Sequence, residues 1–295
     1  MRPGRIIGAG VMLGVLLVPA GPALALQGFG ISPTSQELNL SPGASYKGEV
    51  TVINDGDADV TYKVYATDYK VTDESYRGNF DSSGKAADVS PVTWFSLPKS
   101  LATVKARDQV KVPYTVTAPR TASVGGHYGA VFVETVPPPG KGGAFISRIE
   151  RVGALFYLNV AGATHTQGSV RPLDVPWLQS LPPVGATLRV HNGGNVHFLA
   201  EGTAQLATPF SNTGKSVQFR GEVLPGTTRR FDLKLAAPSP IGFYKVTAKV
   251  QYLGKTETVS HWTLLMPRAT FLIVSGTLLF VLVLGFWGLM RRVRK

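Results

Sequence analysis

The sequence predicts an all-β protein of two tandem immunoglobulin-like β-sandwiches followed by one C-terminal transmembrane helix. Three observations carry the prediction. Short runs alternate apolar and polar residues with period two between Gly, Pro, Asn and Asp clusters, the pattern of half-buried strands. One turn-and-strand plan occurs twice along the chain, the mark of a repeated unit. Two apolar segments stand at the two ends and set the compartment.

Residues 1–25 carry Arg2 and Arg5, an apolar run from Ile6 to Val18, a Pro/Gly break and Ala23-Leu24-Ala25. This is the order of a secretory signal peptide, with cleavage expected after Ala25. The first domain, residues 26–163, opens with Leu38 and Leu40, a Ser41-Pro42-Gly43 turn, and Val50 and Val52 between polar neighbours. Asn54-Asp55-Gly56-Asp57 breaks the run, and Val60, Tyr62 and Val64 resume it. Tyr128 to Val136 and a later run with Val152, Ala154, Phe156, Leu158 and Val160 on one parity predict a long hairpin. Its tip is expected over Pro137-Pro138-Pro139-Gly140-Lys141-Gly142-Gly143.

Residues 164–267 repeat the plan. Val190-His191-Asn192-Gly193-Gly194-Asn195 echoes Val52-Ile53-Asn54-Asp55-Gly56-Asp57, and Gly242-Phe243-Tyr244 echoes Gly126-His127-Tyr128. The unequal spacing of these echoes predicts an insertion in the first domain over residues 69–91. Residues 268–290 then contain a long uncharged stretch from Ala269 to Met290, enough at ~1.5 Å per residue to cross a core of ~30 Å. The basic tail 291–295 is expected to stay cytoplasmic, leaving the two domains outside the cell. Trp262 and Trp287 stand near the two ends of this stretch, where indoles favour the interface. Leu264-Leu265-Met266-Pro267-Arg268 is not a sortase signal, so the anchor is expected to be retained.

Composition excludes whole classes of chemistry. The 295 residues are 44% hydrophobic and only 16% charged, with 33 Gly and 21 Pro, which rules out a polar disordered chain. With 0 Cys, disulfides, thiol catalysis and thiolate metal sites are excluded. The net charge of +12 is concentrated at the ends; the interior up to residue 163 is balanced, 13 basic against 13 acidic, and residues 164–267 have 10 basic against 5 acidic. A nucleic-acid partner is therefore not expected.

No catalytic residue, metal site or cofactor is predicted. His127, His165, His191, His197 and His261 lack the spacing of a zinc helix. Asp55, Asp57 and Asp59 begin like a calcium loop but lack its Gly and its distant Glu, and no Gly-x-Ser-x-Gly elbow occurs. Aromatic rings are the better candidates, because sugars stack on exposed rings and interfaces use Tyr and Trp anchors. Tyr69, Tyr76 and Trp177 stand in irregular stretches and are the predicted ligand-binding residues. Arg171, Arg189, Arg220, Arg229 and Arg230 make the second domain basic, which suits an anionic wall polymer or lipid.

The opening Ile31-Ser32-Pro33 with Leu38-Asn39-Leu40-Ser41-Pro42-Gly43, the Val52-to-Asn54 turn and Gly125-Gly126-His127-Tyr128-Gly129-Ala130-Val131 together resemble the WxL-interacting family of Gram-positive surface proteins. The resemblance implies a peptidoglycan-binding first domain, a second domain of host-binding type and one C-terminal membrane helix. The long hairpin is similar as well to that of periplasmic pilus chaperones, which are soluble. Two functions follow as expectations. The first is a non-catalytic, membrane-anchored surface protein that binds peptidoglycan, another wall polymer or a surface protein, with the neutral first domain and its insertion carrying salt-insensitive specificity. The alternative is an envelope chaperone or assembly factor that pairs a strand edge with a secreted client.

Overall fold

The structure is a computed structural model and describes residues 28–80, 90–98, 101–137, 149–209 and 216–293. The expected signal peptide, residues 81–89 of the insertion, residues 138–143 of the hairpin tip and the last two residues of the basic tail lie outside the described residues.

The chain first runs through β1 (Phe29–Ser32), β2 (Ser35–Leu40), β3 (Ser45–Asn54), β4 (Val60–Asp68), β5 (Lys70–Val71) and β6 (Gly78–Asn79). It continues through β7 (Phe95–Ser96), β8 (Ala102–Val104), β9 (Asp108–Thr117), β10 (Gly125–Thr135) and β11 (Arg151–Val160). A second series follows: β12 (Gly168–Val170), β13 (Leu178–Gln179), β14 (Val184–Asn192), β15 (Phe198–Ala207), β16 (Val217–Val223), β17 (Thr228–Leu235), β18 (Gly242–Tyr252) and β19 (Lys255–Leu265). The helix α1 (Arg268–Val293) ends the described chain.

Two sandwiches result. The first faces a sheet ordered β1-β3-β9-β7 against one ordered β2-β11-β10-β4-β8, and the second faces β12-β14-β17 against β13-β19-β18-β15-β16. Period-two alternation is what fills them: Ala154, Phe156, Leu158 and Val160 of β11 and Val246, Ala248 and Val250 of β18 all point inward and are buried. One core gathers residues from Ile31 to Val160, the other from Leu173 to Leu265. Both sandwiches also begin alike. A first strand pairs antiparallel on one sheet, β1 on β3 or β12 on β14. The next crosses to the other sheet and pairs parallel, β2 on β11 or β13 on β19.

The repeated Asn is a folding device. Asn54 is fully buried; its amide donates to Ala58 O at 2.8 Å and Lys105 O at 3.0 Å while its Oδ1 accepts Gly56 N–H at 3.0 Å. Asn192 does the same with Val196 O and Val223 O, both 2.8 Å, and Gly194 N–H, 2.8 Å. One side chain thus satisfies backbone groups of two turns that would otherwise be buried unpaired.

The tyrosine echo is out of step by one residue. The strands start at Gly125 and Gly242, so the buried Tyr244 corresponds in place to the buried His127, and Tyr128 faces the other side of its sheet. Tyr244 takes Ser239 N–H at 3.2 Å and gives its own proton to Ser239 O at 2.9 Å; His127 Nε2 lies 2.8 Å from Ser123 O. Tyr244→Phe is expected to lower the stability of the second sandwich by about 1 kcal/mol, read as a lower urea midpoint with an unchanged slope.

Only Met266 and Pro267 separate β19 from α1. Among the described residues, α1 is one helix long and apolar enough to cross a membrane, and none of its apolar stretch is buried against the sandwiches. Arg291 lies over the Trp287 ring at 3.5 Å near its end.

Candidate functional site

Among the described residues, the five-stranded sheet of the first sandwich has a partly unpaired edge. β2 is its outermost strand, yet it pairs with β11 only from Leu155 to Val160. Leu155 N–H donates to Thr34 O at 2.9 Å, and alternation along the strand then points the N–H and C=O of Arg151 and Gly153 to the same side. Among the described residues no strand pairs with β11 at these two positions on this side. On the other side Arg151 and Gly153 are held in register with Glu134 and Phe132 of β10.

The outer face of this edge is shaped by a glycine. A Cβ at Gly153 would lie 2.6 Å from the Phe132 ring, so the absence of a side chain lets Phe132 lie flat across β11. The Arg151 guanidinium caps that ring at 4.6 Å, and Tyr65 packs on it at 5.9 Å. Tyr65 donates to Glu134 at 2.7 Å and Lys63 pairs with the same carboxylate at 2.7 Å. These two hydrogen bonds, Lys63 first, hold the Glu134 carboxyl below the usual carboxylate range.

From Phe132 an aromatic seam crosses the outer face toward the second sandwich. Phe80 meets Phe132 edge-on at 4.9 Å and stacks with Tyr69 at 5.6 Å; Tyr69 meets Tyr157, Tyr157 meets Tyr128 at 5.8 Å, and His197 of the second sandwich lies 5.0 Å from Tyr157. The insertion supplies Tyr69 and Phe80. It leaves β4 at Asp68, and Ser90 ties its return to the Asp68 carboxylate at 2.6 Å.

Between its ends the insertion docks on the second sandwich. The Tyr76 hydroxyl accepts Leu224 N–H at 2.8 Å and also bonds Thr227 Oγ1, while Arg229 lies over the ring at 4.5 Å. Glu74 takes Arg189 Nε at 2.7 Å on its carboxylate and Arg230 N–H at 2.8 Å on its carbonyl. Beside it, Gly126 N–H donates to Asn195 O at 2.8 Å and His197 N–H to the Tyr128 hydroxyl at 3.0 Å.

The predicted site residues therefore occupy different places. Tyr69 is buried within the seam and Tyr76 is clamped between sandwiches, so neither offers the exposed ring face that stacking on a sugar requires. Trp177 is exposed and stands apart, 5.9 Å from Phe271 at the start of α1. The basic residues are largely committed: Arg189 to Glu74 and Asp174, Arg220 to Glu201, Arg229 to the Tyr76 ring and Glu222 O, and Arg230 to Asp232. Tyr128, Tyr157 and His197 were not among the predicted residues. The available signal was large rings at wet-face positions of strands, which a solvated face does not need.

Burial at this interface shifts several groups. Desolvation lowers His197 from 6.5, although Glu37 3.6 Å away opposes it. Desolvation, then repulsion from Glu37, raises Glu222 from 4.5. The unfolded chain thus binds the extra proton at His197, and stability falls as pH drops below about 6.5. The folded chain binds the extra proton at Glu222, and stability is lost as pH rises above its ordinary range. His197→Gln is expected to flatten the acid-side loss in urea unfolding between neutral and mildly acidic pH. Glu222→Gln is expected to raise stability at neutral pH, with the gain vanishing once the native Glu222 is protonated in both states.

Within the described residues no cluster of three His, Asp or Glu side chains could hold a metal ion.

No family model matches the chain, and neither does any curated protein sequence. Several solved structures are similar to it. The class 5 fimbriae chaperone CfaA is 14% identical, with 81% of this chain and 100% of that one covered at a TM-score of 0.40. The CsuC–CsuE chaperone–tip subunit complex of Acinetobacter baumannii is 15% identical, covering 79% and 97% at a TM-score of 0.39. The Pseudomonas aeruginosa chaperone CupB2 is 12% identical, covering 78% and 98% at 0.38.

The expected membership of the WxL-interacting family is corrected: no family model matches the chain. The physical reason lies in the motifs. The Asn54 turn recurs at Asn192 because each sandwich needs that buried cap, and the Pro-Gly turn and the β10 strand are equally general.

Proposed function

We propose that the chain is a non-catalytic, membrane-anchored envelope chaperone or assembly factor that holds an extended segment of a secreted client at the uncovered start of β11. The observation that supports this reading is the row of outward N–H and C=O groups at Arg151 and Gly153, in line with β2 and beside a fixed aromatic and charged face. An unpaired edge is a template for an added strand. A client strand there would take up these backbone groups, lay its inward side chains over the half-buried Val152, and its outward ones beside Arg151 and Phe132. In this reading the sandwiches divide between residues 163 and 164, stand outside the cell, and are tethered by α1 with its basic end inside.

Proline tests the edge. Arg151→Pro removes an outward N–H from an edge position, where a sheet tolerates proline. The full chain should capture extracytoplasmic proteins by an extended segment, and Arg151→Pro should lose most of that capture while its unfolding midpoint stays close to that of the parent. Saturable binding of isolated cell wall, unaffected by Arg151→Pro and without any protein client, would instead favour wall-polymer recognition.

A further inference from the structure

We propose that the membrane-proximal end of the second sandwich rests on an anionic bilayer surface through an apolar rim of Trp177, Leu181, Ile241, Phe243 and Trp262. The inference rests on the reading of α1 as a membrane span. The register brings the rim together. Phe243 pairs with Leu264 and Lys245 with Trp262, so Phe243 and Trp262 share the outer face of the sheet, where their rings stack at 4.8 Å and 7°. Ile241 stands in the turn immediately before β18 and is exposed. Leu178 pairs with Leu264 on the neighbouring strand, which carries Trp177 on one flank and the loop residue Leu181 on the other.

All five side chains are exposed, Leu181 at 72% and Trp177 at 64% being the most open. A cluster of this kind on a soluble surface marks an interaction site. Its occupant follows from the tether. Met266 N–H is held by Gln179 O at 2.8 Å, and Phe271 N–H already donates to Pro267 O at 2.9 Å as the first helical bond. Two intervening residues reach at most about 7 Å, so the end of the sheet cannot leave the head-group region. Trp177 also packs on Phe271 inside the first turn of α1. Indole rings favour this zone, and the basic groups beside them, Lys245 over the Trp262 ring at 6.0 Å and Arg268 at the helix start, match anionic head groups.

The absence of cysteine permits single-site labelling of the full chain. Leu181→Cys, Ile241→Cys, the helix control Leu278→Cys and the distant exposed control Leu101→Cys each take an environment-sensitive fluorophore. Each labelled chain is placed in phosphatidylglycerol-containing nanodiscs with a lipid-borne quencher. The expected result is loss of most emission at positions 181, 241 and 278 and little loss at 101. Phe243→Ser/Trp262→Ser, both surface positions, should restore emission at 241 while 278 stays quenched. Unquenched 181 and 241 with a quenched 278 would overturn the rim alone. An unquenched 278 would overturn the span and the rim together. Quenching equally strong in purely zwitterionic discs would overturn the anionic preference.

Discussion

Asn192→Ala is expected to destabilise the second sandwich by about 3 kcal/mol or more, because two carbonyls and one amide lose their partner inside the fold and each unpaired buried group costs about 1–3 kcal/mol. The groups are Val196 O, Val223 O and Gly194 N–H, each 2.8 Å from the Asn192 amide. Against a domain stability of about 5–15 kcal/mol this is a large fraction. Asn192→Asp should not rescue it, since a carboxylate keeps the acceptor for Gly194 but loses both donated bonds and buries a charge. Asn54→Ala should behave alike in the first sandwich. Urea unfolding of the full chain checks this, with a midpoint shift at constant slope; a loss below about 1 kcal/mol would mean that water substitutes for the side chain.

The docking of the two sandwiches is expected to fail first at Gly125. This residue has φ +116°, and a Cβ there would fall within contact distance of the Asn195 carbonyl oxygen. A strained backbone of this kind costs about 1–3 kcal/mol for a non-glycine residue, before the steric conflict is counted. Gly125→Ala should therefore release the bond from Gly126 N–H to Asn195 O and loosen the insertion, because both lie on one interface. Amide exchange reads this at two separated places, Gly126 and Leu224, whose N–H is held by Tyr76. Faster exchange at both is expected. Protection retained at Leu224 would show that the insertion docks independently of the β10 end.

Much of this fold was legible because period-two alternation and turn residues report burial directly. The parity of Ala154, Phe156, Leu158 and Val160 placed one face of β11 in the core, and Asn54 and Asn192 marked equivalent turns. The long apolar helix α1 was legible from length and charge alone. Contacts between sandwiches were not, since no local pattern records them. Tyr76 reads like a loop residue open to a ligand until Leu224, Thr227 and Arg229, some 150 positions away in sequence, close around it. The slip between Tyr128 and Tyr244 has the same origin: one residue of misalignment exchanges the two faces of a strand, and only the pairing of β10 with β11 fixes which face is which. The edge at the start of β11 was invisible for a further reason, because it depends on where β2 begins, at Ser35 opposite Leu155.

That edge carries the functional reading, and amide hydrogen exchange at Arg151 and Gly153 in the full chain tests it most directly. In the free chain both amides should exchange quickly, while Leu155, bonded to Thr34 O at 2.9 Å, is protected. With a captured client bound, Arg151 and Gly153 should become protected to a degree similar to Leu155, and Arg151→Pro should remove most of both the protection at Gly153 and the capture. A bound client that leaves the exchange of these two amides unchanged would contradict the account.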